Sequence, residues 1–361
     1  MKHTSLILLL LFLAVLLLVG SCSRTEAAPA PTEAAAEAVE VITTAPPETL
    51  PHTTLPPETE PPEETLLLTF VGDCTFGCVP EAWYAQMGFI KTIGQDYGYP
   101  FRNVLSYFEN DEFTMVNLEG ALTRDGVRQN KAYTFLGPPE YVNILTENSV
   151  EAVTLANNHS WDFGEFGYIT TKNTLEEAGV PYVETNDIAA ITTENGLTIG
   201  VYGTVYYNMD TEDMLSGIAR LQELGVDLIV VAPHWGAEGY YQPNQTQIDY
   251  GHAAIDAGAD IVYGSHPHVL QPIEYYGDGV IYYSLGNFSF GGNSAPDDFD
   301  TAIIQQEVIR DASGTVRLGH THIIPACISS AGDWNNYQPT PYSEGGEAWN
   351  RVMDKLEGRY E

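Results

Sequence analysis

Five apolar segments of the sequence end in side chains that could bind a metal ion. In chain order, the side chains at these ends are Asp73, Asn117 with Glu119, Asn158 with His159 and Asp162, His234 with Glu238, and His266 with His268. Carboxylates, amide oxygens and imidazoles, with no thiolate required, form a mixed oxygen and nitrogen site that suits Mn, Fe or Zn better than Mg or Ca. Any one of these residues could be a turn or capping residue. Their recurrence at successive segment ends favours a shared metal centre.

Two pairs of histidines could supply imidazoles to such a centre. His266 and His268 stand where an apolar run ends, in "GSHPHVLQP", and Pro267 stiffens the backbone between them. His320 and His322, in "LGHTHIIP", lie inside an alternating segment that continues without a turn. We expect the first pair to direct two imidazoles at neighbouring ions. The second pair is typical of two histidines on one face of a hairpin strand.

The segments that carry the candidate ligands have the pattern of buried strands. Their apolar residues run continuously, as in "VDLIVVAPHWG" and "ADIVYGSHPH", which suits strands covered on both faces. Helix patterns lie between several of them, one with an expected cap at Asn244 and two with expected ends at Gly179 and Gly225. A later hairpin is expected to turn at Asp311 to Gly314. Alternating strands and helices predict an α/β layered fold, in which ligands gather at the carboxyl ends of the strands.

The N-terminal residues predict export and a lipid anchor. Lys2 precedes an uninterrupted apolar stretch from Leu6 to Val19, which is shorter than the ~20 residues of a comfortable membrane span. The end of this region resembles the lipobox of bacterial lipoprotein signal peptides, which implies cleavage before Cys22 and attachment of lipid to its thiol. A plain signal peptide is the alternative. We therefore expect residues 1–22 to be a signal peptide and the mature protein to be extracytoplasmic, anchored by lipid to the bacterial cell membrane.

Composition divides the rest of the chain. Residues 23–64 are dominated by Pro, Glu and Thr and predict a disordered tether. Residues 65–330 form the expected folded domain, and residues 331–361 predict a surface extension with a short terminal helix. The 49 acidic and 14 basic residues give a formal charge of -35, which argues against nucleic acid as a partner. Cys74 and Cys78 could form a disulfide or a packed pair of thiols.

Six motifs, in order, resemble the CapA-type capsule and poly-γ-glutamate synthesis proteins, a family of the calcineurin-like metallophosphoesterase superfamily. The motifs are "VGDCTFG", "VNLEGALT", "ANNHSWDFG", "APHWGAEG", "GSHPHVLQP" and "SLGNFSFGG", and the resemblance runs from about residue 66 to 292. It implies a four-layer α/β/β/α sandwich with a two-metal centre at one edge of its paired sheets.

The resemblance also implies six ligands for two divalent ions. They are Asp73 and His268 for the first ion, Glu119 bridging both ions, and Asn158, His234 and His266 for the second. The chain departs from the superfamily at Thr75, where a histidine usually stands two residues after the first aspartate. Water or Glu238 could fill that position, and Asn117 is a further possible site residue.

Two functions follow from these expectations. The first is a surface-anchored, metal-dependent phosphoesterase-like enzyme in the synthesis or export of a capsule-type polymer such as poly-γ-glutamate, with His159, held by Asp162, as proton donor to the leaving group. The second is a non-catalytic accessory or polymer-binding subunit of a membrane polymer synthase, which Thr75 favours. The expected partners are the membrane, through the lipid anchor, subunits of such a synthase, and an anionic polymer or phosphoester substrate. A solute receptor could have the same anchor and tether, but that function does not explain the candidate metal ligands at five segment ends.

Overall fold

The computed structural model describes residues 63–359 of the chain. The expected signal peptide, Cys22 and nearly all of the expected tether therefore lie outside the described residues. The first strand begins at Glu64, one residue before the expected start of the domain. Between residues 63 and 359, no helix is both long and apolar enough to cross a bilayer.

A seven-stranded mixed sheet forms one half of the domain. In spatial order its strands are β17 (Thr340–Pro341), β16 (Val316–Cys327), β15 (Asp300–Arg310), β1 (Glu64–Phe70), β3 (Phe113–Asn117), β6 (Ala152–Thr154) and β7 (Tyr182–Val183). The pairs from β1 to β7 are parallel, whereas β15, β16 and β17 extend the sheet in antiparallel fashion. The β15–β16 hairpin turns at Asp311 to Gly314, so this prediction is confirmed.

A six-stranded sheet forms the other half. In spatial order its strands are β12 (Ile273–Tyr276), β13 (Gly279–Tyr282), β11 (Ile261–Tyr263), β10 (Leu228–His234), β9 (Thr198–Val205) and β8 (Asp187–Thr192). Its four inner strands are parallel and its two edge strands are antiparallel. Two short parallel pairs complete the strands: β2 (Asp73–Thr75) with β14 (Asn287–Phe290), and β4 (Ala121–Leu122) with β5 (Leu136–Gly137).

Helices cover the outer faces of both sheets. They are α1 (Phe89–Ile93), α2 (Leu105–Phe108), α3 (Asn143–Thr146), α4 (Gly164–Ala178), α5 (Thr211–Leu224) and α6 (Gln245–Asp256), whereas α7 (Glu347–Leu356) packs into the core between the sheets. The side chain of Asn244 caps α6 by accepting a hydrogen bond from the N–H of Gln247, as expected from the sequence. Gly179 and Gly225 end α4 and α5 in the left-handed conformation, which is also as expected.

The core consists of three apolar layers. Between the sheets, Phe70 and Met115 of the first sheet belong to one cluster with Val230 and Ile261 of the second. Helices α1 to α4 pack on the outer face of the first sheet, and α5 and α6 pack on the outer face of the second. This arrangement confirms the four-layer α/β/β/α sandwich. Within it, Cys74 and Cys78 are buried free thiols and not a disulfide.

Residues after 330 are packed into the domain, which differs from the expected surface extension. Tyr337 is 1% exposed, and the side-chain amide of Asn335 donates hydrogen bonds of 2.9 Å to two backbone carbonyls. The expected terminal helix is confirmed as α7, and its Val352 and Leu356 join the core between the sheets. The C-terminal segment is therefore part of the domain.

Candidate metal centre

The candidate ligands meet at the edge where the parallel strands of both sheets end. Asn117 and His234 are the last residues of β3 and β10, and the other candidates lie in β2 or in loops that follow β3, β6, β10 and β11. Gly72 permits the close approach of two chain segments beside Asp73, because a Cβ there would lie 2.3 Å from the carbonyl oxygen of Gly286. The structure thus brings all of the sequence-predicted site residues in the described chain into one cluster.

Glu119 lies at the centre of this cluster. Its side chain is fully buried, and neither of its carboxylate oxygens has a hydrogen-bond partner. Its Oε1 lies 3.8 Å from Nε2 of His159, 3.8 Å from Nε2 of His234 and 3.7 Å from Nε2 of His268. These separations are too long for hydrogen bonds. Burial raises the pKa of Glu119 well above its usual range, and a bound cation would oppose that effect.

Asp73 and His268 lie beside Glu119. Nδ1 of His268 is 3.1 Å from Oδ2 of Asp73, and the amide of Asn117 donates a 2.9 Å hydrogen bond to Oδ1 of Asp73. Burial alone would lower the pKa of His268, but the carboxylates of Glu119 and Asp73 outweigh it and raise this pKa to about 10. The protein thus supplies one positive charge where two buried carboxylates meet, and a divalent cation would satisfy the same requirement.

His234 and His266 are neutral imidazoles on the other side of the cluster. Nε2 of His234 lies 2.9 Å from Oδ1 of Asn158, and its Nδ1 lies 2.8 Å from the hydroxyl of Ser265. Burial lowers the pKa of His234 well below its usual range, and burial together with the neighbouring His268 lowers the pKa of His266 to about 4. Nδ1 of His266 is buried without a hydrogen-bond partner. Neutral imidazole is the form that binds metal ions.

Two sets of three ligand atoms are close enough to share a cation. In each set the atoms lie within 4.8 Å of one another, and the sets are Asp73, Glu119 and His268, and Glu238, His266 and His268. Thr75 stands at the position where the resemblance predicts a histidine. Its hydroxyl is buried and has no hydrogen-bond partner in the described chain. Orphaned buried donor and acceptor atoms, with carboxylates and imidazoles in contact range, fit a divalent metal.

The turn that carries His266 and His268 has an unusual backbone. Both residues have positive φ, 99° and 56°, which is uncommon for residues other than glycine. The carbonyl of Pro267 accepts a 2.9 Å hydrogen bond from the N–H of Gly239, and the carbonyl of His268 accepts a 3.3 Å hydrogen bond from the amide of Asn287. These contacts stabilise the strained turn and fix the direction of both imidazoles.

His159 and Asp162 form the expected pair, and Lys131 joins them. Nδ1 of His159 is 2.7 Å from Oδ2 of Asp162, which also accepts a 2.6 Å hydrogen bond from the N–H of Phe135. Nζ of Lys131 lies 2.5 Å from Oδ1 of Asp162 and donates a 2.6 Å hydrogen bond to the carbonyl of Asn158. Sequence reasoning missed Lys131. The residue lies in the irregular segment between β4 and β5, where no pattern or motif marks it.

Two asparagines that sequence reasoning also missed hold the ligands in place. The amide of Asn157 donates a 2.9 Å hydrogen bond to Oδ1 of Asn117, and its own Oδ1 accepts a 3.0 Å hydrogen bond from the N–H of His159. Oδ1 of Asn287 lies 3.0 Å from Nδ1 of His268. Both asparagines stand within the motifs quoted above, and for Asn157 its position next to Asn158 was the available signal.

The second histidine pair takes no part in the centre. His320 and His322 lie in β16, and His322 is 2.9 Å from the carboxylate of Glu307 on the neighbouring strand. Both histidines are exposed, so the prediction of two strand histidines is confirmed.

The chain resembles known proteins over most of its length. It matches the family described as "Bacterial capsule synthesis protein PGA_cap" over residues 67–292. It is 31% identical to the capsule biosynthesis protein CapA of Bacillus anthracis over 331 residues, which is 81% of this chain and 77% of that protein. It is 29% identical to the PGA biosynthesis protein CapA of Bacillus subtilis (strain 168), with 70% of each protein covered.

Among solved structures, the NAD nucleotidase NadN of Haemophilus influenzae has a TM-score of 0.42 and is 11% identical. The match covers 82% of this chain and 63% of that protein's chain. A similarity of this size carries no functional conclusion.

Proposed function

The chain belongs to the bacterial capsule synthesis protein family PGA_cap, and from this membership we propose that it is a metal-dependent phosphoesterase-like protein acting in the synthesis or export of a capsule-type polymer such as poly-γ-glutamate. One observation carries the catalytic part of the proposal. The buried Glu119 carboxylate has no hydrogen-bond donor and is faced by three imidazole nitrogens at 3.7 to 3.8 Å. Burying an unpaired carboxylate costs several kcal/mol, about what a bound cation would offset.

The residues of the cluster divide into ligands for two divalent ions, which we expect to be Mn, Fe or Zn. The proposed ligands are Asp73, Glu119 and His268 for one ion, and Glu119, Asn158, His234 and His266 for the other, with Glu238 able to supplement either. Two divalent ions held there would clamp a phosphoryl group and lower the pKa of water at the site.

His159 is the proposed proton donor to the leaving group. Its Nδ1–H donates to the buried carboxylate of Asp162, which leaves Nε2 directed at the centre. When the ring is protonated, Nε2 holds the proton that passes to the leaving-group oxygen. Asp162 fixes the orientation of the ring, and Lys131 balances the charge of Asp162.

We also propose that the mature protein is held on the extracytoplasmic face of the bacterial membrane through lipid on Cys22, with subunits of a membrane polymer synthase as partners. The N-terminal sequence and the family support this placement. In cells fed labelled fatty acid, the wild-type protein should carry the label and lie in the membrane fraction. Cys22→Ala should carry no label and move to the soluble fraction. A membrane-bound, unlabelled wild-type protein would contradict the lipid anchor.

A second candidate function is a non-catalytic accessory or polymer-binding subunit that retains the metal centre. Thr75 favours it, because a superfamily ligand position is occupied by a side chain that contacts no other ligand through a hydrogen bond. Under this proposal the metal-loaded protein binds the polymer and turns over no phosphoester.

One experiment separates the two functions. Purified protein loaded with Mn²⁺ is assayed for hydrolysis of p-nitrophenyl phosphate, and its metal content is measured. His159→Ala should lower turnover by about 100-fold or more while metal content is unchanged. The matched control is His252→Ala, because His252 lies on α6 and pairs with Glu274 outside the centre.

Turnover by His159→Ala equal to that of wild type would remove His159 from the mechanism. Metal-loaded wild type without turnover would favour the accessory function. Wild-type protein that binds no divalent metal would overturn both.

A further inference from the structure

A cleft of about 540 Å³ opens onto the candidate metal centre. His159 and His268, whose Nε2 atoms face Glu119, form part of its wall. A phosphoester held at the centre would therefore place the group attached to its phosphoryl in this cleft. The side chains of the cleft wall decide which group can lie there.

The charged side chains of the outer cleft are acidic. Glu238 and Asp297 are exposed there, and the cleft-lining residues of the described chain include no lysine or arginine. Lys131, beside the centre, is paired with the buried Asp162. Lys355, beyond the cleft, is paired at 2.7 Å with Asp298. In the outer cleft a carboxylate on the substrate would meet Glu238 and Asp297, with no lysine or arginine in the cleft wall to balance them.

Three aromatic residues also line the wall. The ring of Phe135 lies 4.4 Å from the ring of His159 between centroids, and the ring of Phe290 lies 5.1 Å from that of His268. Tyr133, also in the cleft wall, is 64% exposed. Of these rings, that of Tyr133 is open to solvent, and it suits a flat, apolar face on the substrate, as in stacking of a ring.

We propose that the phosphoester handled at this centre joins the phosphoryl group to an uncharged, ring-bearing alcohol such as a sugar, and not to a carboxylate-rich chain. This inference rests on the proposed function and narrows it. Where the capsule polymer is itself polyanionic, the centre acts on a phosphoester whose alcohol part is uncharged and not on the charged backbone of the polymer.

Two phosphonates that need no turnover test this assignment. Binding of phenylphosphonate and of 4-carboxyphenylphosphonate to the Mn²⁺-loaded full-length chain is measured by calorimetry. Phenylphosphonate, which lacks the carboxylate, should bind about tenfold more tightly, since the added carboxylate meets the acidic side chains of Glu238 and Asp297. Asp297→Lys should abolish or reverse this preference. Tyr133→Ala should weaken phenylphosphonate severalfold, because it removes the exposed ring.

The matched control for Asp297→Lys is Asp278→Lys, which makes the same charge change at an exposed turn between β12 and β13. It should leave the preference as in wild type. Equal affinity of wild type for the two phosphonates, or tighter binding of the carboxylated one, overturns the inference and leaves the proposed function intact. Binding of neither phosphonate to protein that retains its ions overturns the phosphoesterase function and the inference with it.

Discussion

The two ends of the central strands satisfy their carboxylates in different ways. At the amino ends, each of four carboxylates accepts a hydrogen bond from the backbone N–H of a neighbouring strand, and these are Glu112 at 2.6 Å, Glu151 at 2.6 Å, Asp227 at 2.7 Å and Asp260 at 2.7 Å. At the carboxyl ends, Glu119 accepts no hydrogen bond and faces imidazoles. The four hydrogen bonds at the amino ends stabilise the sheets, whereas Glu119 destabilises the fold unless a metal ion binds to it.

Of the changes that test this difference between the two strand ends, Glu119→Gln should have the largest effect. We expect affinity for Mn²⁺ to fall by about 100-fold or more, because the variant loses the central charged ligand. In EDTA the free energy of unfolding should rise, since a neutral amide replaces a carboxyl group that is buried without a hydrogen-bond donor. Calorimetric titration and urea denaturation measure the two quantities. Glu151→Gln, at the other end of the strands, is the control and should leave metal affinity unchanged, so a similar loss in both variants would contradict the contrast.

Removal of metal from the wild-type protein should be the next largest effect. At a free Mn²⁺ concentration of 100 times its Kd, binding adds about 2.7 kcal/mol to the free energy of unfolding, and EDTA should remove this contribution. Thermal unfolding with and without EDTA measures the difference. The same comparison in Glu119→Gln should show little change. Equal stability of the wild type in both conditions would mean that the centre binds no ion.

Asp260→Ala tests the other side of the contrast. It removes the acceptor for the N–H of Ile229 and should lower the free energy of unfolding by about 1 to 3 kcal/mol, because that donor stays buried and unpaired. Asp260→Asn keeps an acceptor oxygen and should cost less. Urea denaturation gives both values, while metal affinity should match the wild type. An unchanged stability of Asp260→Ala would show that these hydrogen bonds are unimportant.

The amino ends of the strands should also make stability depend on pH. Burial raises the pKa of Asp111 and of Glu151 to about 7, whereas both carboxyl groups titrate near about 4 in the unfolded chain. A raised folded-state pKa favours folding while the group is protonated. This contribution is complete below about pH 4 and is lost as the pH rises through about 7.

The free energy of unfolding in EDTA should therefore fall between about pH 4 and pH 7 through these two groups. Urea denaturation across that range measures the slope. The double variant Asp111→Asn and Glu151→Gln should have a flatter profile. A slope identical to that of the wild type would show that other groups control it.

The smallest effect is expected at the histidines outside the centre. The side chain of His322 is exposed and pairs with Glu307. His322→Ala should therefore change the free energy of unfolding by less than about 0.5 kcal/mol and leave metal content unchanged. His268→Ala should lose metal. Metal analysis of both variants checks this difference, and loss of metal from His322→Ala would contradict the assignment.

The clustering of the central candidate ligands could be predicted because of where they stand in the sequence. Asp73, Glu119, His266 and His268 each follow a continuous apolar run, and the carboxyl ends of parallel strands converge in an α/β fold. The layered fold followed from the same runs. Lys131 could not be predicted in this way, because its contact with Asp162 depends on how an irregular segment packs over the loop after β6.

The burial of the C-terminal segment could not be predicted from its amino-acid composition either. Asn, Gly and Pro residues are typical of exposed loops, yet the amide of Asn335 is satisfied by carbonyls of residues far earlier in the chain. Tyr337 then fills a space in the core beside Phe89. Such partners are visible only once the fold has brought the two segments together.

The backbone at positions 266 and 268 restricts how relatives of this chain can diverge. With positive φ at both positions, Asn, Asp or Gly can replace histidine without rebuilding the turn, whereas β-branched residues cannot. A relative without a metal centre could therefore lack both imidazoles and keep the same backbone. Asn or Gly at both positions, on an otherwise matching sequence, would indicate a relative that keeps the fold but binds no metal there.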